Sequence, residues 1–232
     1  MISSQTAMIF AAGRGERMSP LSDFCPKPLL TARGKPLIVW QIERLARAGF
    51  TTIIINHHWL GEHIEAALGD GSCWGVQIRY SAEVEPLETA GAIAQALPLL
   101  EAQQKPCTFV AVSADIFTDY DYCALHQPMQ RMQNLSEPHM HLVMVPNPEY
   151  HPNGDFALEK GRLSLHDAAR LTFGNIGVYD TRMFYDLKPG TRCALTPYYL
   201  AAIKAQCASG ELYQGNWANV GTPAQLQLLN TQ

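Results

Sequence analysis

The chain lacks the features that define several large classes of protein. Its 232 residues carry 17 Lys and Arg against 21 Asp and Glu, a formal net charge of -4, so it lacks the basic excess that is typical of nucleic-acid-binding proteins. It also lacks an apolar run of membrane-spanning length and an amino-terminal signal peptide. We therefore expect a cytoplasmic protein that binds neither nucleic acid nor a membrane.

The cysteines and histidines lack the spacing of metal sites. No two of the six cysteines form a C-x-x-C pair, which argues against a zinc site or a disulfide framework and indicates buried or incidental thiols in a reducing compartment. The histidines, including the pair His57 and His58, show no metal-ligand spacing with acidic residues. We expect packed or helix-capping imidazoles.

The first loop lacks the two most familiar phosphate-binding signatures. The dinucleotide fingerprint needs a third glycine, but Met18 stands in its place after Arg17. The Walker loop needs Gly-Lys-Ser/Thr, and here the same region ends in Ser19 without a lysine. What is present is G-x-G-x-R directly behind an apolar run at 7–10, which predicts a buried strand.

Glycines and positive charges together indicate that this loop binds an anion. Gly13 and Gly15 allow backbone N–H groups to approach an anion closely. Arg14, Arg17 and Lys27 add positive charge beside them. Each residue alone would fit a Gly/Pro-rich surface loop with solvated charges. Their combination behind a strand predicts a phosphate-binding loop for a nucleotide.

Alternating strand and helix patterns predict an α/β fold with a mainly parallel, mixed sheet. We predict one compact domain over 1–232, a short hairpin at 155–165, and a flexible segment at 127–139 because it has two prolines and few aliphatic residues. The predicted strands cover 6–11, 51–56, 76–81, 108–112, 142–145 and 171–179, and the predicted helices cover 37–48, 60–68, 89–100 and 195–208.

Two motifs carry a resemblance to a known family. Residues 10–21 read FAAGRGERMSPL and residues 26–29 read PKPL, which resembles the signature of the sugar-1-phosphate nucleotidylyltransferases. The stretches at 55–61, 68–72, 154–156 and 171–173 are most similar to members that transfer UMP from UTP to N-acetylmuramate 1-phosphate. The resemblance implies a Rossmann-like three-layer α/β/α fold of the nucleotide-diphospho-sugar transferase type. It also implies UTP and a sugar 1-phosphate as substrates and a role in peptidoglycan (cell-wall) recycling.

The resemblance also implies roles for the charged residues of the loop. Arg17 would hold the pyrophosphate leaving portion, and Lys27 would contact the α-phosphate or the attacking sugar phosphate. For a lone lysine or arginine, solvated surface charge is the commoner role, but the prolines on both sides of Lys27 fix its backbone. The residues expected to bind the nucleotide are Ala11, Ala12, Gly13 and Gly15 in the loop, and Glu88, Thr89 and Gly91 in a segment that reads ETAG.

A magnesium site is implied by two further positions. Asp115 follows the predicted strand at 108–112, and a carboxylate just beyond a parallel strand lies where such sheets bind ligands. The resemblance makes Asp115 one Mg²⁺ ligand and Asn219 the other, although Asn219 replaces the aspartate of W-x-D-V-G-T-P. Asparagine keeps a neutral carbonyl oxygen but loses a charge, so weaker metal binding is expected. Asp119 and Asp121 are nearby alternatives, and Asp121 is better suited to cap the following helix.

Asp155 and Asn175 are the candidates for binding the sugar, because polar side chains there could hydrogen-bond hydroxyl or acetamido groups. This would make 1–125 the nucleotide-binding half and 126–232 the sugar-binding half, in a monomer or small homo-oligomer. Two alternatives stay open. One is a cytidylyl- or guanylyltransferase acting on choline, mannose or heptose phosphates. The other is a nucleotide-sugar-binding protein with little turnover, suggested by Ala114 and Asn219.

Overall fold

The computed structural model describes residues 5–166 and 169–231, and a mixed nine-stranded sheet forms its centre. The order of strands in that sheet is β5-β4-β1-β6-β11-β8-β12-β10-β9, and two short ladders, β2-β3 and β7-β13, lie outside it. The strands are β1 (Gln5–Phe10), β2 (Thr31–Ala32), β3 (Lys35–Pro36), β4 (Phe50–His57), β5 (Gln77–Ala82), β6 (Thr108–Ser113), β7 (Ile116–Thr118), β8 (Met140–Val145), β9 (Phe156–Glu159), β10 (Arg162–Ser164), β11 (Arg170–Asp180), β12 (Ala208–Leu212) and β13 (Trp217–Asn219).

Helices cover both faces of the large sheet, which confirms the predicted three-layer arrangement. Residues of α2, α3 and α5 share one apolar cluster with one face, and residues of α4 and α6 share a second cluster with the other face. The helices are α1 (Leu21–Phe24), α2 (Leu37–Arg47), α3 (Gly61–Leu68), α4 (Glu88–Leu100), α5 (His126–Gln133), α6 (Thr196–Lys204) and α7 (Pro223–Thr231).

The amino-terminal half of the sheet is parallel, and its strands are buried on both faces because the connecting helices cover them. Along β1, Ala7 and Ile9 pack into one cluster, whereas Met8 between them packs into the other. A strand with apolar side chains on both faces needs helices above and below it, as βαβ connections provide. The strands β5, β4, β1 and β6 pair in parallel, while β11 runs antiparallel beside β6.

The predicted elements of the first half and the hairpin are confirmed with small shifts in their ends. Two predictions in the second half are wrong. The predicted helix at 195–208 ends at Lys204, because Gln206 has a φ of 58° and the chain then enters β12. The predicted flexible segment at 127–139 instead begins within α5, where Met129 and Met132 are buried in the core. No helix of the described ranges is both long and apolar enough to cross a membrane.

Two connections in the second half of the chain build the edge of the site. The ladder between β7 and β13 places Asn219 opposite Ile116, and the Val220 N–H donates to the Asp115 carbonyl oxygen at 2.8 Å. The helix α7 then packs Leu226 and Leu229 into a third apolar cluster, which includes Met18 of the first loop. The carboxyl-terminal segment therefore supports the amino-terminal loop.

The helix α4 packs so closely on the segment at 191–193 that position 91 has no room for a side chain. A Cβ atom at Gly91 would lie 2.3 Å from the Thr191 carbonyl oxygen, which belongs to the backbone and cannot swing aside. We expect Gly91→Ala to lower the free energy of unfolding by about 1–3 kcal/mol through overpacking, as measured by urea denaturation. Gly13→Ala is the control, because no atom lies within 4 Å of its added Cβ. Equal unfolding midpoints for the two variants would contradict this prediction.

Candidate active site

A cleft of about 740 Å³ opens at the carboxyl ends of β1 and β6. The loop after β1 forms one wall, Asp115 and its neighbours form the floor, and the start of α4 forms the opposite wall. This is where parallel α/β sheets bind ligands. The predicted residues that line it are Ala11, Ala12, Gly13, Gly15, Arg17, Lys27, Glu88, Thr89 and Asp115.

Backbone and side-chain hydrogen bonds hold the first loop in shape. Its first residue, Ala11, donates its N–H to Asn56 Oδ1 at 3.1 Å in the buried interior. Further along, the Gly15 carbonyl oxygen accepts from the Met18 N–H and from the Ser22 hydroxyl, each at 2.8 Å. The loop is thus preorganised by the protein itself, which lowers the entropy cost of ordering it around a ligand.

The two glycines of the loop differ in whether the surrounding protein leaves room for a side chain. Gly15 has a φ of 69°, and a Cβ there would lie 3.0 Å from Lys27 Cβ and 3.2 Å from Lys27 Cδ. Because Gly15 has no side chain, the aliphatic part of Lys27 can pass beneath the loop. Gly13 lines the cleft and has no atom within 4 Å of an added Cβ. Nothing in the protein requires glycine at position 13, so the open space above it is available to a ligand.

Asn56 and Glu83 are site residues that the sequence analysis missed. Asn56 Nδ2 donates to Glu83 Oε1 at 2.7 Å, and the Leu87 N–H donates to Glu83 Oε2 at 2.9 Å. Both side chains are buried and line the cleft. They link the ends of β1, β4 and β5 through one network. The available signal was a polar residue at the end of each apolar strand, which is where a sheet presents its ligand-binding groups.

Lys27 and Asp115 form an ion pair at the floor of the cleft. Lys27 Nζ contacts Asp115 Oδ2, and the Ser113 hydroxyl donates to Asp115 Oδ1 at 2.6 Å. Lys27 is only 8% exposed, so it is not a solvated surface lysine; its contact with a phosphate stays a prediction. An ammonium has three donors and each carboxylate oxygen has two lone pairs. Both groups therefore keep capacity for a ligand.

Arg17 lines the cleft and is exposed. Its Nη2 atom lies 3.3 Å from the place where a Cβ at Gly221 would stand, so glycine there lets the guanidinium rest against the backbone. Arg14, on the same loop, stacks over the Trp59 ring at 4.6 Å from its centroid. The Trp59 indole N–H in turn donates to the Ser22 carbonyl oxygen at 3.1 Å. Both arginines thus border the space beside the loop.

Only part of the segment at 88–91, which was expected to bind the nucleotide, lines the cleft. Glu88 and Thr89 line the cleft, and Glu88 forms an ion pair with Arg192 at 2.9 Å, a cleft residue that the sequence analysis missed. Gly91 does not line the cleft; its N–H donates to the Cys193 carbonyl oxygen at 3.0 Å. Thr89 does not cap α4, because its hydroxyl accepts from the Leu195 N–H at 3.2 Å. A nucleotide contact by Gly91 stays a prediction.

A second cleft of about 610 Å³ is lined by both predicted sugar-binding residues, Asp155 and Asn175. Asp155 Oδ2 accepts from the Phe173 N–H at 2.8 Å, and its Oδ1 lies 3.1 Å from His151 Nε2. Asn175 has a φ of 57° and follows Phe173 by two residues along β11. The two residues therefore share one cleft, as expected.

Asn219 of the second cleft lies close to Asp115 of the first. It lines the second cleft, while β13 pairs it beside the segment that carries Asp115. Its Oδ1 atom is buried and has no hydrogen-bond partner within the described chain. A buried acceptor without a partner is costly, and an amide oxygen is a hard ligand suited to Mg²⁺. Among the described residues no group of three or more His, Cys, Asp and Glu side chains could hold a metal. The protein ligands of a metal ion here would therefore be Asp115 and Asn219.

Tyr150 lies near Asp115 and Asn219. It lines the second cleft, and partial burial, followed by the charge of Asp115, raises the pKa of Tyr150. Its hydroxyl is therefore protonated near neutral pH. Asp121, the alternative to Asp115, accepts from the Cys123 N–H at 3.0 Å and caps the short helical turn at 122–125. This confirms the capping role predicted for it.

Known proteins with similar sequence and structure were compared with this chain. It is 46% identical over 226 residues to the N-acetylmuramate alpha-1-phosphate uridylyltransferase of Neisseria meningitidis serogroup B, covering 95% of each chain. It is 29% identical to the mannose-1-phosphate guanyltransferase of Aspergillus fumigatus, covering 94% of this chain and 61% of that protein. A Bacillus anthracis structure provisionally assigned as a glucose-1-phosphate thymidylyltransferase superposes with a TM-score of 0.81 at 20% identity, covering 98% of this chain and 94% of that one.

The mixed nine-stranded sheet has the nucleotide-diphospho-sugar transferase fold of the solved structure that it matches. Residues 6–154 match the family described as Nucleotidyl transferase, and the chain belongs to that family. This confirms the resemblance carried by residues 10–29. Members of the family generally work with a divalent metal ion.

The hydrogen bonds between Asn56, Glu83 and the Leu87 N–H should contribute to the stability of the fold. Glu83→Gln replaces a carboxylate that accepts two N–H donors with an amide that accepts only through its oxygen. We expect it to lower the free energy of unfolding by about 1–3 kcal/mol, because one buried donor loses its partner. Chemical denaturation measures this. Glu85→Gln, at an exposed position two residues along, is the matched control. A Glu83→Gln protein as stable as the control would contradict the network.

Proposed function

We propose that this chain is a magnesium-dependent uridylyltransferase that makes a UDP-sugar and pyrophosphate from UTP and a sugar 1-phosphate. The observation that carries this proposal is the arrangement of Arg17, Lys27 and Asp115 around the glycine loop, beside a second cleft with polar walls. One cleft has the charges that a triphosphate needs, and the other has the hydrogen-bonding groups that a sugar needs. Asp115 of the first cleft and Asn219 of the second are brought close together by the β7–β13 ladder.

In the proposed reaction a phosphate oxygen of the sugar 1-phosphate attacks the α-phosphorus of UTP. The bond from that phosphorus to the bridging oxygen of the β-phosphate breaks, and pyrophosphate leaves with the negative charge. Such transfers depend mainly on positioning and on stabilising charge. The Arg17 guanidinium can bind two phosphate oxygens at once. The Lys27 ammonium can contact a phosphate while still bonded to Asp115.

Asp115 and Asn219 would hold the metal ion, and their chemistry fits that role. Both offer hard oxygens, and Asn219 Oδ1 is buried and unpaired in the described chain. Mg²⁺ usually binds through one or two protein oxygens together with substrate phosphates. When bound, the ion would neutralise phosphate charge in the cleft. The Lys27 ammonium, already beside Asp115, would keep the carboxylate in place.

The choice of UTP and of N-acetylmuramate 1-phosphate is supported by the similarity to the Neisseria meningitidis protein along 95% of both chains. It would place the enzyme in peptidoglycan recycling. The similarity to a guanyltransferase keeps the other bases as the alternative. Pyrophosphate release, measured with each of the four nucleoside triphosphates and a panel of sugar phosphates, distinguishes them. A protein that binds a UDP-sugar tightly and releases no pyrophosphate at high magnesium would be a binder instead.

We also propose a cytoplasmic location, one domain, and a division of labour within it. All six cysteines are free, which suits a reducing compartment. Residues 1–125 would bind the nucleotide, because the first cleft is lined mostly by residues between 10 and 115. Residues 126–232 would bind the sugar, because the second cleft is lined by residues between 150 and 219. The protein would act as a monomer or small homo-oligomer.

Loss of the loop charges should abolish most of the activity. We expect Arg17→Ala and Lys27→Ala each to reduce kcat by about a hundredfold or more, the usual effect of removing a group that stabilises transition-state charge. The measurement is pyrophosphate release from UTP at saturating acceptor. The matched controls are Arg47→Ala and Lys204→Ala, which remove exposed charges on α2 and α6. Near-normal turnover in folded Arg17→Ala and Lys27→Ala proteins would overturn the proposal.

Asn219→Asp tests the metal site. Restoring a carboxylate adds a negative charge beside Asp115, so the magnesium concentration needed for half-maximal activity should fall, or kcat should rise. Magnesium binding in the presence of UTP, followed by calorimetry, gives a second measurement that does not depend on turnover. Asn216→Asp, a neighbour whose side chain bonds Asp119, is the control. If neither measurement changes in Asn219→Asp, Asn219 does not face the metal.

A further inference from the structure

The second cleft contains one arginine whose charge is not matched by a carboxylate of the described chain. Arg170 begins β11 and lines this cleft. Its guanidinium makes one hydrogen bond there, a long 3.5 Å contact from Nη2 to the Leu165 carbonyl oxygen. Ion pairs within the described ranges engage Arg182 and Arg192 but not Arg170. Its donors are therefore available to a ligand.

The other ionisable groups of this cleft are engaged with each other. His151 Nε2 lies 3.1 Å from Asp155 Oδ1, so any positive charge on this imidazole is directed at Asp155. Asp155 itself is an acceptor, which suits hydroxyl and amide groups of a sugar and disfavours an anion. Arg170 is thus the group of this cleft best placed to attract a negative charge on an acceptor.

Arg170 lies at the end of β11 that is away from Asp115. Ile176 pairs with Val112 of β6, so Asn175 lies next to the end of the strand that leads to Asp115. Arg170 is five residues earlier, beyond a register shift between Phe173 and Gly177, and it pairs with Ala157 of β9 rather than with β6. An acceptor whose 1-phosphate lies near Asp115 would therefore present its remote part to Arg170.

We propose that Arg170 recognises a carboxylate carried by a ring substituent of the acceptor, and so selects an acidic amino sugar over its neutral counterpart. This inference rests on the proposed function. N-acetylmuramate differs from N-acetylglucosamine by a lactyl ether on the ring, which ends in a carboxylate. A guanidinium pairs with a carboxylate through two parallel hydrogen bonds, and the cost of bringing that negative charge near Asp155 is offset by Arg170.

Three acceptors separate the carboxylate from the rest of the sugar. They are N-acetylmuramate 1-phosphate, the same compound with its lactyl group as the neutral amide, and N-acetylglucosamine 1-phosphate. The value of kcat/KM is measured for each at saturating UTP and Mg²⁺. We expect Arg170→Gln to lower kcat/KM for the acid by about tenfold to a hundredfold, mainly through KM, because a charged hydrogen-bonded pair is lost. The values for the two neutral acceptors should not change.

Two further variants sharpen the result. Arg170→Lys keeps the charge without the two-pronged geometry, so it should fall between the wild type and Arg170→Gln for the acid. Arg162→Gln removes an exposed arginine on β10, outside both clefts, and should leave kcat/KM for all three acceptors unchanged. Thermal melting confirms that each variant is folded.

The outcomes separate this inference from the proposed function. A wild-type protein that releases no pyrophosphate with any of the three acceptors overturns both. A wild type that turns them over without preferring the acid overturns the inference and leaves the proposed transfer reaction standing. The inference also fails if Arg170→Gln keeps the wild-type preference for the acid, or lowers kcat/KM equally for all three.

Discussion

The ion pair between Lys27 and Asp115 is the contact on which the site depends, because it joins the amino-terminal loop to the end of β6. Burying an ammonium without a partner is costly, and so is leaving a carboxylate unpaired near it. Gly15 supports the pair by leaving room for the lysine stem. One contact therefore positions both the lysine proposed to bind phosphate and the carboxylate proposed to bind the metal ion.

Around that pair the chain uses distant segments to complete the two clefts. The β7–β13 ladder brings Asn219 to Asp115, and α7 packs behind the first loop next to Met18. On the other side, β11 runs antiparallel to β6, and its residues Arg170, Thr172, Phe173 and Asn175 line the second cleft. The strand that ends beside β6 therefore also carries the proposed sugar-binding residues and Arg170.

Much of the first half could be predicted from the sequence because its signals are local. Apolar runs at 51–56 and 108–112 indicated buried strands, and the helices predicted at 37–48 and 60–68 end shortly before Gly49 and Gly69, which have positive φ. The second half was harder to predict. The segment at 127–139 looked flexible by composition, yet Met129 and Met132 bury against a sheet face that local sequence does not reveal. The predicted helix at 195–208 was too long because Ala208 pairs with β8, a contact made across the chain.

The sequence by itself determined the class of chemistry: glycines and fixed charges near the amino terminus predict anion binding, since backbone freedom and charge are properties of single residues. The tertiary structure alone decided which groups meet. Glu83 is marked in the sequence only by its place after a strand, and Arg170 is not marked at all, because what matters at each is the neighbour that the fold supplies or withholds. Glu83 is given two buried N–H donors. Arg170 is left without a carboxylate in the described chain, because strand pairing, which depends on residues far apart in sequence, decides what lies beside it.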